Sequence, residues 1–390
     1  MRAMPDELVK SRIPFAKMPI VDEAREAVAR VLASGWVTSG PEVEEFERAI
    51  AERVRAPFAV AVSSCTSAIE LGLRALRLQA GAKVLCPTMT FGGVVHAIVH
   101  AGLTPVLVDL DHETLMPNAE TVAAAARDGA DAMIVLHFAG YPAPVGELAA
   151  AAHLPLARVI EDAAHALGTW ADGRPVGSES AAACFSFYAT KNLPIGEGGM
   201  LTTADPAIAD FARQGRLHGM SRDAWKRYAP GSPWRYEIVQ AGLKANMTDM
   251  QAAIGRAQLR AFDTWQFRRA AIASRYDERL AAIDGLVLPS RPAHGTHAWH
   301  LYVVRVTRDF GVSRDDLIAR MSERGVDCSV HFIPVHTHQY FESLLGPQSL
   351  PNADAAFEEI VSLPMYPDLT DDDVDRVADA IASLAGGSRS

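Results

Sequence analysis

Lys191 stands in a loop between the apolar run FSFY (185–188) and a glycine cluster, Gly196, Gly198 and Gly199, that permits close backbone approach. A loop amine can bond an aldehyde, and it can shuttle protons once its charge is suppressed. Asp162 lies just past the apolar strand end Arg158–Ile160, and His165 follows three residues on. Ser64-Cys65-Thr66 separates an apolar run from a helical pattern, so its backbone N–H groups can face an anion. Ser186 ends another run and adds a hydroxyl; Phe91 follows a strand and a Pro-Thr turn and offers a flat ring.

Taken singly, each has a plain structural reading. A loop lysine is usually a solvated charge, a strand-end aspartate a turn former, a phenylalanine a core residue. A G-x-G-G run with no following helix is no dinucleotide fingerprint. Together they meet the needs of pyridoxal 5′-phosphate. Its aldehyde needs a lysine, its ring nitrogen a carboxylate, its phosphate N–H and hydroxyl donors, and its ring an aromatic partner. The 3-oxygen of the ring lies within reach of His165.

The elements that must position these residues read as alternating strands and helices. Phe58–Val62, Lys83–Cys86, Pro105–Leu110, Asp131–His137 and Arg158–Ile160 are strand candidates, with helices near Ser67–Leu78 and Ala119–Arg127. Such alternation implies an α/β fold with a mainly parallel sheet between helices, and ligands bind at the carboxyl ends of its strands. That edge collects Ser63–Thr66, Thr90-Phe91, Glu161–His165 and Ser186–Lys191. Beyond Thr248 the pattern changes: a long helical stretch to Asp284, a strand at His300–Val306, a helix at Ser313–Arg324, a strand at Asp327–Phe332 and a closing helix at Asp371–Leu384. The expected division is a large cofactor-binding domain, 1–255, and a smaller α+β domain, 256–390.

With 49% hydrophobic residues, 22% charged residues and a net charge of −10, the chain reads as globular and a poor nucleic-acid binder. Residues Met1 to Lys17 lack the apolar stretch of a signal peptide, and no run approaches the ~20 apolar residues of a membrane helix. Cys65, Cys86, Cys184 and Cys328 form no C-x-x-C pair and read as reduced thiols. A cytoplasmic location follows as the expectation. No metal site is expected, because His331 and His336 lack a third clustered ligand.

Nine segments in order carry a resemblance: GWVTSGPEVEEFE (35–47), VSSCTSAIELGL (62–73), PTMTFGGVVHAI (87–98), VIEDAAHALG (159–168), FSFYATKNLPIGEGGML (185–201), LHGMSRDAWKRY (217–228), GLKANMTDMQAAIGRAQL (242–259), VHFIPVH (330–336) and LPMYPDLT (363–370). The chain resembles the DegT/DnrJ/EryC1/StrS sugar aminotransferases, within the fold-type I pyridoxal-phosphate enzymes. The resemblance implies a seven-stranded sheet and an obligate homodimer with active sites at the interface. It implies that Lys191 bonds the cofactor and moves protons, that Asp162 pairs with the ring nitrogen, and that His165 faces the ring oxygen. Ser64, Cys65, Thr66 and Ser186 fall at phosphate positions, with Cys65 expected to give only its N–H; Phe91 falls at the stacking position. Lys244 stands where many relatives have an asparagine that reaches the neighbouring subunit's phosphate, and Asn246 where they have an arginine. Either side chain could be the donor.

The same resemblance places His331 near the sugar. Arg222, Lys226 and Arg227 read either as a solvated helix face or as a clamp on a nucleotide diphosphate. The implied reaction moves an amino group from L-glutamate to a nucleotide-linked keto-sugar, with pyridoxamine 5′-phosphate as the amino-carrying form. HFAGYP (137–142), FSFYATKN and LHGMSRDAWKRY look most like the branch acting on UDP-linked 4-keto-6-deoxyhexoses. Amination at C3, or of a cyclitol ketone such as an inosose, is the rival. Relatives that dehydrate sugars carry histidine in place of the lysine, which Lys191 argues against. A non-enzymatic regulator sits poorly with a fully populated cofactor set and no DNA-binding stripe.

Overall fold

A computed structural model describes residues 12–177, 179–221 and 236–386. Short apolar runs form β1 (Phe58–Val62), β2 (Lys83–Pro87), β3 (Thr104–Val108), β4 (Ala132–Leu136) and β5 (Val159–Asp162). A small ribbon, β6 (Trp170–Ala171) with β7 (Arg174–Pro175), precedes β8 (Ala182–Ser186) and β9 (Gly199–Thr203). The large sheet has seven strands in the order β1-β9-β8-β5-β4-β2-β3. Strands β3, β2, β4, β5 and β8 run parallel, which is the α/β arrangement expected; β9 alone lies antiparallel, between β1 and β8. The loop carrying Lys191 therefore leaves the carboxyl end of β8 and returns at the same edge.

Side-chain alternation buries both faces. Val60 and Val62 of β1, Cys184 of β8 and Leu201 of β9 join one apolar cluster. Their neighbours Ala61, Phe185 and Met200 join another, around Phe46, Ile50 and Phe262. The helix Cys65–Ala75 starts where β1 ends, and Ser64 caps it by accepting the Ser67 N–H. Thr248 and Gln251 form a capping box at the start of Asp249–Leu259.

A second sheet is antiparallel, β10 (Leu286–Val287), β11 (Tyr302–Val306) and β12 (Ile360–Leu363) in that order. Tyr302, Val304 and Val306 face a cluster of their own, while Val303 and Ile360 pack into the large one. This interlock brings the entry to β11, and with it His300, to the carboxyl edge of the large sheet. On its outer side the helix Phe262–Leu280 packs on Asp371–Ala382 with an Arg275–Asp375 pair at 2.6 Å.

The strand expected at Asp327–Phe332 is not one. Val326 bridges Ile13, and Ser329 exchanges two hydrogen bonds with Ser362, after which the ladder stops. Pro334, which has no N–H to donate, follows closely, and the chain turns to carry His331 and Phe332 toward the cavity.

Gly199 lets two backbones touch. A Cβ there would lie 2.4 Å from the carbonyl carbon of Ser64 and 2.6 Å from the nitrogen of Cys65. Gly199→Ala is expected to lose about 1–3 kcal/mol in chemical denaturation, because backbone rather than a pliable side chain must move. Gly146→Ala, with open space around its Cβ, is expected to change stability by less than about 1 kcal/mol.

Candidate active site

Lys191, Asp162, His165, Ser64, Cys65, Thr66, Ser186, Phe91 and His331 all line one cavity of about 530 Å³ at the carboxyl edge of the sheet. Strand β5 sorts two adjacent carboxylates to opposite sides. Glu161 meets His137 Nε2 at 2.8 Å and accepts the Ser180 hydroxyl at 2.5 Å. Ala143 N–H donates to His137 Nδ1, so a neutral ring presents its proton to Glu161, which is held below its usual range despite burial. Asp162 faces the cavity. It accepts the Ala164 N–H at 3.0 Å and has the Cys65 thiol at 3.8 Å. Among the described residues no side chain lies within ion-pair distance of it, and burial raises its pKa.

His165 Nδ1 accepts the Ala139 N–H at 3.2 Å. A backbone N–H can only donate, so a neutral ring carries its proton on Nε2. Burial, then the charge of Lys191, pushes the imidazole well below its ordinary pKa and keeps it neutral. Lys191 Nζ sits 3.4 Å from His300 Nε2. Desolvation pushes its pKa down to about 8, with the Asp162 charge opposing part of that shift. His331 donates to or accepts from the Ser362 hydroxyl at 2.9 Å and stacks on Phe15. Burial, then Lys191, lowers its pKa to about 4.

One part of the cavity is lined by the first turn of Cys65–Ala75, whose N–H groups have no partner within the helix, and by Thr66 and Ser186, an arrangement able to receive an anion. Ser186 Oγ also accepts the Tyr188 N–H at 3.3 Å. Cys65 turns its thiol inward, to the Cys184 carbonyl at 3.2 Å, so its side chain also touches the site's interior, beyond the N–H contribution expected. Phe91 is 68% exposed, an unusual value for a large aromatic at a cavity.

Lys244 and Asn246 do not line the cavity of their own chain; they bond each other at 2.6 Å. Arg222, Lys226 and Arg227 lie outside the described residues. His336 is structural, held by Thr88 Oγ1 at 2.7 Å and Asp354 at 2.9 Å. Sequence reasoning placed Thr90 at this edge without giving it a role and missed Phe15, His300 and Phe332; all four line the cavity. Thr90 carries a buried hydroxyl without a partner, which a ligand in the cavity could satisfy. No local pattern marks Phe15, His300 or Phe332; the ATKN context flags only the Asn192 that holds His300.

The donor set fits pyridoxal phosphate. A buried carboxylate without a cation suits a protonated ring nitrogen, a half-buried amine of lowered basicity suits the aldehyde, and the helix start with two hydroxyls suits the phosphate. Capture of a small aldehyde by Nζ should rise about tenfold per pH unit and level off above about 8, because the neutral amine is the nucleophile. An ordinary lysine would keep gaining rate to about pH 10, and a visible absorbance titration distinguishes the two.

A family model described as the DegT/DnrJ/EryC1/StrS aminotransferase family matches residues 19–382. The spore coat polysaccharide biosynthesis protein SpsC of Bacillus subtilis is 42% identical over 96% of this chain and 98% of its own length. The putative sugar aminotransferase Spr1654 of Streptococcus pneumoniae, solved in its PMP-form, superposes with a TM-score of 0.88 at 30% identity, over 95% of this chain and 98% of that one. The aminotransferase TlmJ of Streptoalloteichus hindustanus gives 0.87 at 32% identity, over 96% and 99%. Fold, site chemistry and these similarities agree on a pyridoxal-phosphate protein, and the chain belongs to the DegT/DnrJ/EryC1/StrS aminotransferase family.

Proposed function

We propose that the chain moves an amino group from L-glutamate to a nucleotide-linked keto-sugar, most directly a UDP-4-keto-6-deoxyhexose. The observation that carries the reading is the Lys191 amine, with its pKa at about 8, in one cavity with a buried, cation-free Asp162. Bound pyridoxal phosphate supplies an aldehyde that takes up the amino group and a protonated ring that draws electron density from the reacting carbon. Asp162 would face that ring nitrogen and hold its proton from a site buried away from bulk water. His165 donates Nε2–H to the ring oxygen. The helix start at Ser64–Thr66 and Ser186 anchor the phosphate, and Phe91 covers one ring face.

Lys191 does the proton work. Near pH 8 its two forms are comparable, so Nζ can take a proton from the donor's α-carbon side and deliver it across the cavity without a large energetic penalty in either direction. One lysine serves both halves, removal from glutamate and delivery to the sugar. His331 and Phe15 form a flat wall on which a sugar ring can rest.

Two features support a homodimer with shared sites. Lys191 is the only Lys or Arg lining the cavity among the described residues, beside Asp162 and Glu197, although a cofactor phosphate and a nucleotide diphosphate both bring negative charge. Phe91 is open toward solvent. A second copy would supply Lys244 or Asn246 to the cofactor phosphate, and Arg222 and Arg227 would clamp the diphosphate.

The test is spectral. The protein is converted with L-glutamate to its amino form, then challenged with UDP-, dTDP- and GDP-linked keto-sugars and with cyclitol ketones. Return of the aldehyde-form absorbance with a UDP-linked 4-keto sugar is the expected result. Return only with a 3-keto sugar or an inosose replaces the acceptor, and no conversion by any amino donor removes the aminotransferase reading. Lys191→Ala is expected to lower turnover by at least roughly 10²–10⁴-fold, measured as 2-oxoglutarate release under saturating donor. Asp162→Asn is expected to lower it while leaving the cofactor phosphate contacts in place.

A further inference from the structure

His300 reaches the lysine from the entry to β11, across the carboxyl edge of the large sheet. Its ring nitrogens can be assigned from groups that have no choice of role. The Ala298 carbonyl can only accept, and the Asn192 amide nitrogen donates to it at 2.7 Å. The same nitrogen donates to Gln266 Oε1 at 2.9 Å, and Gln266 Nε2 donates to the same carbonyl at 3.1 Å, so both amides are oriented. Asn192 Oδ1 is thereby turned to His300 Nδ1 at 3.1 Å, and Nδ1 must carry the proton. In a neutral ring the Nε2 lone pair is left facing Lys191 Nζ at 3.4 Å.

The backbone that carries the ring is also clamped. The fully buried guanidinium of Arg269 donates to the carbonyls of Trp299 at 3.1 Å, His300 at 3.3 Å and Met365 at 3.0 Å. The His300 N–H bonds the Ala139 carbonyl at 2.9 Å, and its ring centroid lies 4.4 Å from that of His165. Burial first, then the charges of Lys191 and Arg269, holds the imidazole well below its usual pKa. The other titratable groups that act on Nζ or feel its charge are Asp162, Cys65, His165 and His331, and Glu197 also lines the cavity. None of these is within hydrogen-bond distance of Nζ.

We propose that His300 is a positioning residue for Lys191: its unprotonated Nε2 accepts a hydrogen bond from Nζ and aims the amine into the cavity whenever the amine is not bonded to the cofactor. The proposal rests on the reading of Lys191 as the cofactor lysine. A lysine side chain has many rotamers, and an acceptor fixed by Asn192 and Arg269 selects among them without adding a competing negative charge. Because the acceptor also favours the ammonium form, it moderates the loss of basicity that burial imposes.

The test reads Lys191 alone. The full chain, freed of cofactor, is pulsed with an amine-acylating reagent across a pH series, and modification of Nζ is quantified by peptide mass spectrometry. In the unsubstituted protein the midpoint is expected near 8. His300→Phe keeps a ring and removes the acceptor; its midpoint is expected about one pH unit lower, roughly a tenfold change in the protonation equilibrium. His300→Gln places an amide oxygen near the Nε2 position and is expected to restore most of the shift. Asn192→Ala, which leaves the imidazole in place but frees its tautomer, is expected to shift the midpoint down by a smaller amount and serves where the Phe variant does not fold. Midpoints that do not move, or that fall equally in the Phe and Gln variants, overturn the proposal. The cofactor-loaded protein separates the two readings. Nζ protected from acylation, with a midpoint indifferent to His300, sinks only the positioning role; Nζ equally reactive with and without cofactor sinks the assignment of Lys191 itself.

Discussion

Asp162 is buried at the end of β5 with one backbone N–H and one thiol for company, and the rest of the site is arranged around that unpaired charge. Removing a carboxylate from water costs several kcal/mol unless a cation or several donors replace the solvent. The apolar clusters on both faces of the sheet maintain that cost by packing around the end of β5, so the carboxylate is open only toward the cavity. The same dryness lowers the basicity of Lys191 and keeps His165, His300 and His331 neutral. A ligand that brings a positive ring nitrogen relieves the strain at Asp162. Cofactor affinity and the burial of one side chain are thus two aspects of a single electrostatic arrangement.

Position along the chain explains what could be read beforehand. Lys191, Asp162, Ser186 and the Ser64–Thr66 turn are each next to a strand whose apolar run is visible locally, and parallel strands deliver such ends to one edge. His300 escaped because its significance depends on a contact across 109 positions. Phe15 and Phe332 gain theirs in the same way, from tertiary approach rather than local pattern. Phe91 stood out for its type, and the open face it shows could not have been inferred from the sequence around it.

Fold details divide along the same line. The five-residue runs that became β1, β2, β4 and β8 announce burial, yet nothing in GMLTT states a direction, so the reversal of β9 was invisible. The two-residue strands of the β6–β7 ribbon are too short for any period to register. At 327–332 the apolar alternation suggested a strand, but one pair with Ser362 was all the neighbouring sheet offered. Local pattern proposes an element there, and the availability of a partner decides it.

The reversed strand β9 also orders events in time. Among the described residues β1 pairs with no other strand of the large sheet, so the turn at Ser64–Thr66 that follows it enters the strand ladder only through β9. The pairing Val62 with Gly199 closes a loop of well over a hundred residues, a slow step for a growing chain. On a ribosome, β1 cannot take its place in the strand ladder until β9 has been made, by which point the segment bearing Lys191 is made too. The turn at Ser64–Thr66 and the Lys191 loop are therefore brought into register by one and the same pairing.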